Sequence, residues 1–479
     1  DNNSDGFTDL TLQNRLSLFN KIDFLRDDKR IFNLAARYIY EERWGGEMNW
    51  KPSNRGSDSI YAESIHTNRW ETFGTYELPM APDVKFQFSG NGHIQNSYYG
   101  VTPYKADQYI GFGQLTWNTP VGNKHSLLLG GAYRYTYYDD NTFATLSEDG
   151  FKNNPSIIHL PGIFIQDEIN LNEWQKLLLG IRYDYNSIHG NVFSPRANYK
   201  WSSIDKNEII RISVGNGFRV ANVFTEDHAA LTGSRSVEFK DDLKPETSWN
   251  VNVNYIKNFI FKQSILTLDG SFFYTYFSNR ILPDYESNPN KIIYSNLDGT
   301  SVSKGISLNV DIMFQNGLSL LAGATLMDVS VIEKQVKTRQ LLTERFSSVW
   351  SITYRLKPLG LTIDYTGNVY GPMRLPLLGP LDPRDQYSQW FSIQNIQVTK
   401  KIRNIMELYL GVKNLLNFTP PSNSIARAFD PFDKEVQFNN EGQVIPSSNN
   451  PNGLTFDPSY VFTSNQGIRL FLGLNFTIY

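Results

Sequence analysis

Alternation with a period of two, sustained over segments longer than ordinary soluble strands, is the feature that most limits how this chain can fold. From Leu177 to Tyr185, the side chains of Leu177, Leu179, Ile181, Tyr183 and Tyr185 fall on one face, and Leu178, Gly180, Arg182 and Asp184 on the other. Leu127, Leu129, Tyr133, Tyr135 and Tyr137 alternate in the same way with Leu128, Gly130, Ala132, Arg134 and Thr136. Trp249, Val251, Val253 and Tyr255 alternate with three asparagines, and Met406, Leu408, Leu410 and Val412 with Glu407, Tyr409, Gly411 and Lys413. Successive side chains of a strand point to opposite faces. The second set is too small, polar and charged to be the core of a sandwich, but it suits a wet lumen behind a lipid-facing wall.

The connections support the same architecture. Short turns such as Leu25–Arg30, Val121–His125, Pro358–Gly360 and Arg403–Asn404 alternate with long loops at Gly45–Asn68, Phe143–Pro161, Ala221–Glu246 and Pro420–Gln466. Short turns on one side and long loops on the other mark an outer-membrane barrel, with the long loops facing outward. The pattern predicts about 19 strands between Thr11 and Gly467, with starts near Arg69, Tyr109, Gly162 and Ile292 among them. A propeller would repeat every 40 to 50 residues or so, and no such repeat occurs. The fold class expected is all-β, a transmembrane antiparallel barrel occupying residues 1–479 as one domain.

Composition narrows the function classes. Aromatic residues make up 14% of the chain, with 27 Tyr and 31 Phe, as two interfacial girdles in contact with outer-membrane lipid require. No run of about 18 apolar residues is available for a membrane helix. A net charge of -3 gives no reason to expect nucleic acid as a partner, and the absence of cysteine excludes thiolate metal sites, Cys nucleophiles and disulfides. No Gly-x-Ser-x-Gly elbow or His-Glu-x-x-His helix appears, so no enzyme is expected.

Five segments, in order along the chain, carry a resemblance. Gly162-Ile-Phe-Ile-Gln-Asp-Glu168 and Leu179-Gly-Ile-Arg-Tyr-Asp184 are similar to paired mid-barrel strands of TonB-dependent transporters. Val214-Gly-Asn-Gly-Phe-Arg219-Val-Ala resembles that family's Gly-Phe-Arg-Ala-Pro box, and Asp242-Leu-Lys-Pro-Glu-Thr-Ser-Trp249 the segment that follows it. Gly411-Val-Lys-Asn-Leu-Leu-Asn417 resembles the box near its carboxyl end, and the chain closes on an aromatic Phe476-Thr-Ile-Tyr479. The resemblance implies a barrel of 22 strands, of which these would be strands four to 22. The first three strands, the plug and the TonB-binding box would then lie upstream of Asp1. It implies active import of a scarce chelate (a cobalamin, haem or ferric siderophore) driven through TonB, with a surface lipoprotein as a further possible partner. The rivals are a passive pore and a structural or receptor subunit of a larger outer-membrane assembly.

Candidate site residues follow. Asp1, Asn3, Asp5, Phe7 through its carbonyl, and Asp9 match the first positions of an EF-hand-type Ca2+ loop, with Gly6 at the sharp turn. Leu12 stands where that loop requires Glu, so a solvated acidic loop is the competing reading. For substrate, the candidates are Arg219, Phe224, Glu226, His228, Tyr137 and Tyr138. His228 lies in the interval where haem receptors of the family carry an axial histidine, and neutral imidazole suits iron. Arg134, Arg182 and Arg219 are expected on the lumen face, either in a salt-bridge lattice with Asp184 or facing an anionic chelate. Tyr98, Tyr99, Trp44 and Trp50 join Tyr137 and Tyr138 as aromatic groups able to stack on a bulky ligand or to form a girdle.

Overall fold

The computed structural model describes residues 1–79, 83–147, 150–220, 236–240, 242–285, 288, 291–403, 405–440 and 442–477. Among them, no helix is long and apolar enough to cross a membrane. Nineteen long strands form one wall: β1 (Leu12–Asp23), β2 (Phe32–Gly46), β3 (Ala62–Glu77), β4 (Val84–Tyr99), β5 (Thr102–Val121), β6 (His125–Asp140), β7 (Ser156–Asn170), β8 (Gln175–Asn186), β9 (Gly190–Ser202), β10 (Glu208–Arg219), β11 (Glu246–Ile260), β12 (Ser264–Asn279), β13 (Gly299–Phe314), β14 (Leu318–Glu333), β15 (Phe346–Leu356), β16 (Leu361–Tyr370), β17 (Phe391–Ile402), β18 (Met406–Lys413) and β19 (Arg469–Phe476). Each pairs antiparallel with the next in sequence. The short segment Val336–Arg339 folds back on β14 and brings the sheet to 20 strands. Among the described residues β1 pairs with β2 alone and β19 with β18 alone, and every residue of β1 is exposed.

Alternation sorts each strand as the sequence predicts. On β6 the outward set carries Leu127, Leu129, Tyr133, Tyr135 and Tyr137, while Tyr138 and Asp140 on the opposite set are buried. Several charges of the inner face pair with one another in a lattice. Arg182 forks onto Asp184 at 2.6 and 2.7 Å. Arg37 and Arg69 share Glu71, each at 2.5 Å.

Several strands begin earlier than the alternation suggests. β3 starts at Ala62 rather than near Arg69, β5 at Thr102 rather than Tyr109, and β7 at Ser156 rather than Gly162. These added residues of strand lie at the long-loop end of the wall, and hydrophobic alternation does not mark them. The segment at Ile292 is a different kind of correction. Lys291–Asn296 is not wall; it joins Ser236–Phe239 and Ile281–Asp284 in a separate three-stranded sheet, and β13 begins at Gly299. The loop asymmetry also has exceptions, because β4 and β5 are joined on the long-loop side by Gly100 and Val101 alone. Gly100 adopts φ +59°, and a Cβ there would sit 2.9 Å from the Tyr61 ring, so this tight turn demands glycine on two counts.

Two structures roof the mouth. The three-stranded sheet, carried on loops of the β10–β13 region, reaches the inner face of β4–β6, where Ile292 and Tyr294 are buried against Tyr99, Tyr104, Ala106 and Tyr138. The second is a lid formed by residues 414–468, with Phe456 stacked on Phe7 and packed against Tyr61 at centroid distances of 5.9 and 4.8 Å. Residues 371–390 latch this lid. Arg384 grips Asp382, reaches the Ser424 carbonyl at 3.2 Å and lies 4.4 Å over the Tyr460 ring, whose hydroxyl donates to the Asp385 carbonyl.

Candidate functional site

Under the roof lies a cavity of about 850 Å3 against the inner face of β2–β6. That is within the range of small-molecule sites. Its ceiling is apolar, made by Phe7, Ile425, Phe456 and Pro458. One side is aromatic: Tyr99, Tyr104 and Tyr138, with the Tyr104 and Tyr138 hydroxyls 2.9 Å apart and Tyr138 donating to Asp140 at 2.5 Å. Neutral hydrogen-bonding groups come from Asn91, His93, Gln95 and Gln108.

Charge is layered along the wall. Asp9 and Glu63 stand at the loop end, and Arg43 and Arg69 stand deeper. The deeper arginines belong to a set that outnumbers its acids, since Arg15 and Arg43 both approach Glu41, as Arg37 and Arg69 both approach Glu71. Two buried polar atoms on the cavity wall, Arg69 Nε and Asp9 Oδ1, have no hydrogen-bond partner among the described residues. A desolvated donor or acceptor left unpaired costs about 1–3 kcal/mol. The wall therefore suits a bulky, polar ligand with anionic groups and planar faces.

The anticipated residues are dispersed by the fold. Tyr138 lines the cavity, but its neighbour Tyr137 points to the outer face, 5.9 Å from the Tyr109 ring, so the two cannot act on one ligand. Alternation itself separates them. Tyr99 and Tyr98 part in the same way; Tyr98 lies under the Arg55 guanidinium at 4.5 Å, and Trp44 packs at a tilt against Trp50, 4.7 Å between ring centroids. Arg219 is held by Glu246 at 2.6 Å, and Glu246 also accepts the Ile281 N–H, which ties the end of β10 to the roof sheet. Arg182 belongs to the Asp184 pair. Phe224, Glu226 and His228 lie outside the described residues.

At the amino end, Gly6 makes the anticipated turn at φ +83°. The Asp1 carboxylate accepts the Asp5 and Gly6 N–H groups, the Asp5 carboxylate accepts those of Asn3 Nδ2 and Phe7, and Asp9 bonds the Asp1 nitrogen at 2.9 Å. The Phe7 side chain is buried in the ceiling of the cavity. Among the described residues no three acidic or histidine side chains gather as metal ligands. The carboxylates of Asp1 and Asp5 are turned onto the N–H groups of their own loop.

Sequence reasoning missed Arg43, Arg69, Asn91 and His93. The signal was present in β2, where Arg37, Ile39, Glu41 and Arg43 alternate with Tyr38, Tyr40, Glu42 and Trp44. What was lacking was the knowledge of which strands stand beneath the roof.

Comparison with known proteins agrees with this architecture. Residues 1–415 match the family described as TonB dependent receptor-like, beta-barrel. An iron-regulated outer membrane virulence protein of Vibrio cholerae serotype O1 is 32% identical over 133 residues, which is 27% of this chain and only 20% of that relative's length. The FrpB iron transporter of Neisseria meningitidis superimposes with a TM-score of 0.66 at 13% identity, over 97% of this chain and 72% of that one. The siderophore receptor PirA of Pseudomonas aeruginosa gives 0.61 at 13% identity, over 85% and 69%, respectively. A mutant of the ferric enterobactin receptor PfeA from the same organism gives 0.60 at 14% identity, over 97% and 80%. At such identities the structural likeness speaks for the fold alone, while the family match covers most of the chain. The chain therefore belongs to the TonB-dependent receptor β-barrels of the bacterial outer membrane.

Proposed function

We propose that this barrel takes part in TonB-dependent import of an iron–siderophore complex, or a chelate of similar size and charge, which it receives in the roofed cavity on β2–β6. The observation that carries the reading is the cavity wall itself. Arg69 brings a guanidinium that shares Glu71 with Arg37, its Nε without a partner among the described residues, deep into the site beside His93 and three amide side chains and below Tyr99, Tyr104 and Tyr138. The relatives named above as siderophore receptors and an iron transporter support the choice of cargo class. On this reading TonB acts through a plug and coupling segment of the whole protein, strands beyond these nineteen fill the gap between β1 and β19, and a surface lipoprotein finds its docking site on the roof. Calcium would act at the loop of Asp1, Asn3, Asp5, Phe7 and Asp9, drawing its carboxylates away from the backbone.

Uptake of iron-55 presented as ferric enterobactin, with haem and cyanocobalamin as alternative cargoes, tests this in a host lacking its own receptors, with and without TonB. Arg69→Met should raise the half-saturation concentration about tenfold, the loss of one charge-assisted hydrogen bond. His228→Ala should leave siderophore uptake within about 1 kcal/mol of a rim contact, and abolish haem uptake if haem is the cargo. Chelation of calcium should weaken capture. Uptake that persists at full rate without TonB would instead identify a passive pore.

A further inference from the structure

The outward face of the wall carries an apolar groove across β4–β8. On β5 and β6, Gly113 and Gly131 stand where neighbouring outward positions carry Leu115, Trp117, Leu129 and Tyr133. Between them and the flanking strands runs a groove of about 530 Å3, walled by Phe86, Leu115, Tyr133, Ile163, Tyr183 and Tyr185. Leu115, Tyr133, Ile163 and Tyr185 remain 46–65% exposed, so the groove opens outward and not into the lumen.

Nothing in the protein itself requires these two glycines. Neither has a positive φ. A Cβ on Gly131 would meet nothing nearer than 3.9 Å, and one on Gly113 nothing nearer than 3.5 Å. Gly130, one residue along and facing inward, is the contrast: a Cβ there would fall 2.1 Å from the Phe164 ring. Glycine in a strand interior weakens the strand, and it often marks a place where something approaches closely. Here the approach can come only from the membrane side.

We propose that this groove holds one acyl chain of a membrane lipid. Three observations point to that occupant. The groove is continuous with the lipid-facing wall, with Leu129, Ile165 and Leu179 on its turn side and Tyr109, Tyr135 and Tyr137 on its loop side, so it sits within the hydrocarbon layer just below an aromatic girdle. Strands lie about 4.8 Å apart, so missing side chains on adjacent strands leave a slot about one chain wide. Polar groups gather only at the loop end, where the Tyr133 hydroxyl meets His159 Nδ1 at 2.6 Å and the Tyr183 hydroxyl donates to Asn191 at 2.8 Å. An apolar slot with a hydrogen-bonding end matches an amphiphile lying along the wall, head toward the loops.

The test uses the full-length protein in nanodiscs of phosphatidylethanolamine and phosphatidylglycerol that contain a phosphatidylethanolamine with a photoactivatable diazirine on one acyl chain. Labelled peptides are mapped by mass spectrometry. Adducts should concentrate severalfold on β5–β8 around Tyr133, Ile163 and Tyr183, relative to Ile212, Val214 and Trp249 elsewhere on the outer face. Gly131→Leu should reduce them severalfold, to the general level, since each methylene displaced from the groove costs a factor of about four in occupancy. Gly113→Leu fills the groove independently should the first variant fold poorly, and heat-modifiable gel mobility checks both. Labelling spread evenly around the wall, or unchanged in both filled variants, overturns the proposal. So does crosslinking of two copies of the chain through this face, which would make it an oligomer contact.

Discussion

The two parts of the roof share apolar docking and differ in the buried charge added to it. The three-stranded sheet is docked by apolar burial, with Ile292 fully buried and Tyr294 2% exposed against a patch of tyrosines on β4–β6. The lid of residues 414–468 is docked by apolar burial too, with Phe456 against Phe7 and Tyr61, but buried ion pairs stiffen both it and the latch beside it. Arg384 and Asp382 have side chains 2% and 0% exposed, and Arg427 pairs with Asp430 at 2.6 Å with both side chains under 10% exposed. Apolar docking is indifferent to pH and tolerant of small shifts. A buried ion pair is neither, because removal of one partner leaves an uncompensated charge.

The largest effect should come from Arg384→Ala. It strands the Asp382 carboxylate and removes the link to Ser424, for a cost of about 3–5 kcal/mol. Hydrogen exchange should accelerate throughout residues 371–390 and 414–468 while residues 291–296 keep their protection. Loss of protection in both parts would show that the roof is one cooperative unit and erase the distinction. Ile292→Ala makes the converse change, with a cost of roughly 2–5 kcal/mol for a fully buried side chain, and exposure confined to the small sheet and its contacts at Tyr99 and Tyr104.

The smallest effect is also the most selective. Burial pushes the Asp433 carboxyl up to about 6, helped by its neighbours Asp430 and Asp457 and opposed by the Phe456 N–H and Arg427. The folded lid thus binds a proton that the unfolded segment has released. Its stability from this group rises as pH falls through about 6 and is lost as pH rises through it. Asp382 has the opposite sign. Burial works against its charge, but the bonds from Arg384 and the Leu378 N–H outweigh it and hold the carboxyl below its ordinary value. Its contribution is complete at neutral pH and disappears only in stronger acid. Asp433→Asn keeps the acceptor for the Phe456 N–H. It should strengthen protection of the lid at pH 7.5 by on the order of 3 kcal/mol, a gain that shrinks as pH falls through about 6 and vanishes only in stronger acid, below the ordinary carboxylate range, after correction for intrinsic exchange. A gain that did not shrink as pH falls would dissociate the lid from this carboxyl.

How much of this was legible in the chain depends on the range of the interaction responsible. Membrane-embedded strands such as β6, β8, β11 and β18 could be read directly, because alternation records which face meets lipid. Their extensions at the long-loop end, Ala62–Asn68 among them, could not, since hydrophobic alternation does not mark them. The pairing of Arg182 with Asp184 was visible as an i, i+2 relation on one face. The sharing of Glu71 by Arg37 and Arg69 needed the register of β2 on β3. Motif matching placed Asp1, Asn3 and Asp5 in a tight loop around Gly6, yet it had no means of knowing that Phe7 would be drawn into the ceiling by Tyr61 and Phe456, the latter some 450 residues away in the chain.

By itself, then, the sequence determined the strand wall, the side each residue takes and the membrane in which it stands, because period-two alternation is a local consequence of pleating and needs no partner to be read. Only the tertiary structure decided that Lys291–Asn296 crosses to β4–β6, that the lid closes over β2 and β3, and that Arg43, Arg69 and His93 consequently line one cavity with Tyr138. Those contacts join residues that alternation treats as unrelated, and they depend on which strands a curved sheet brings face to face.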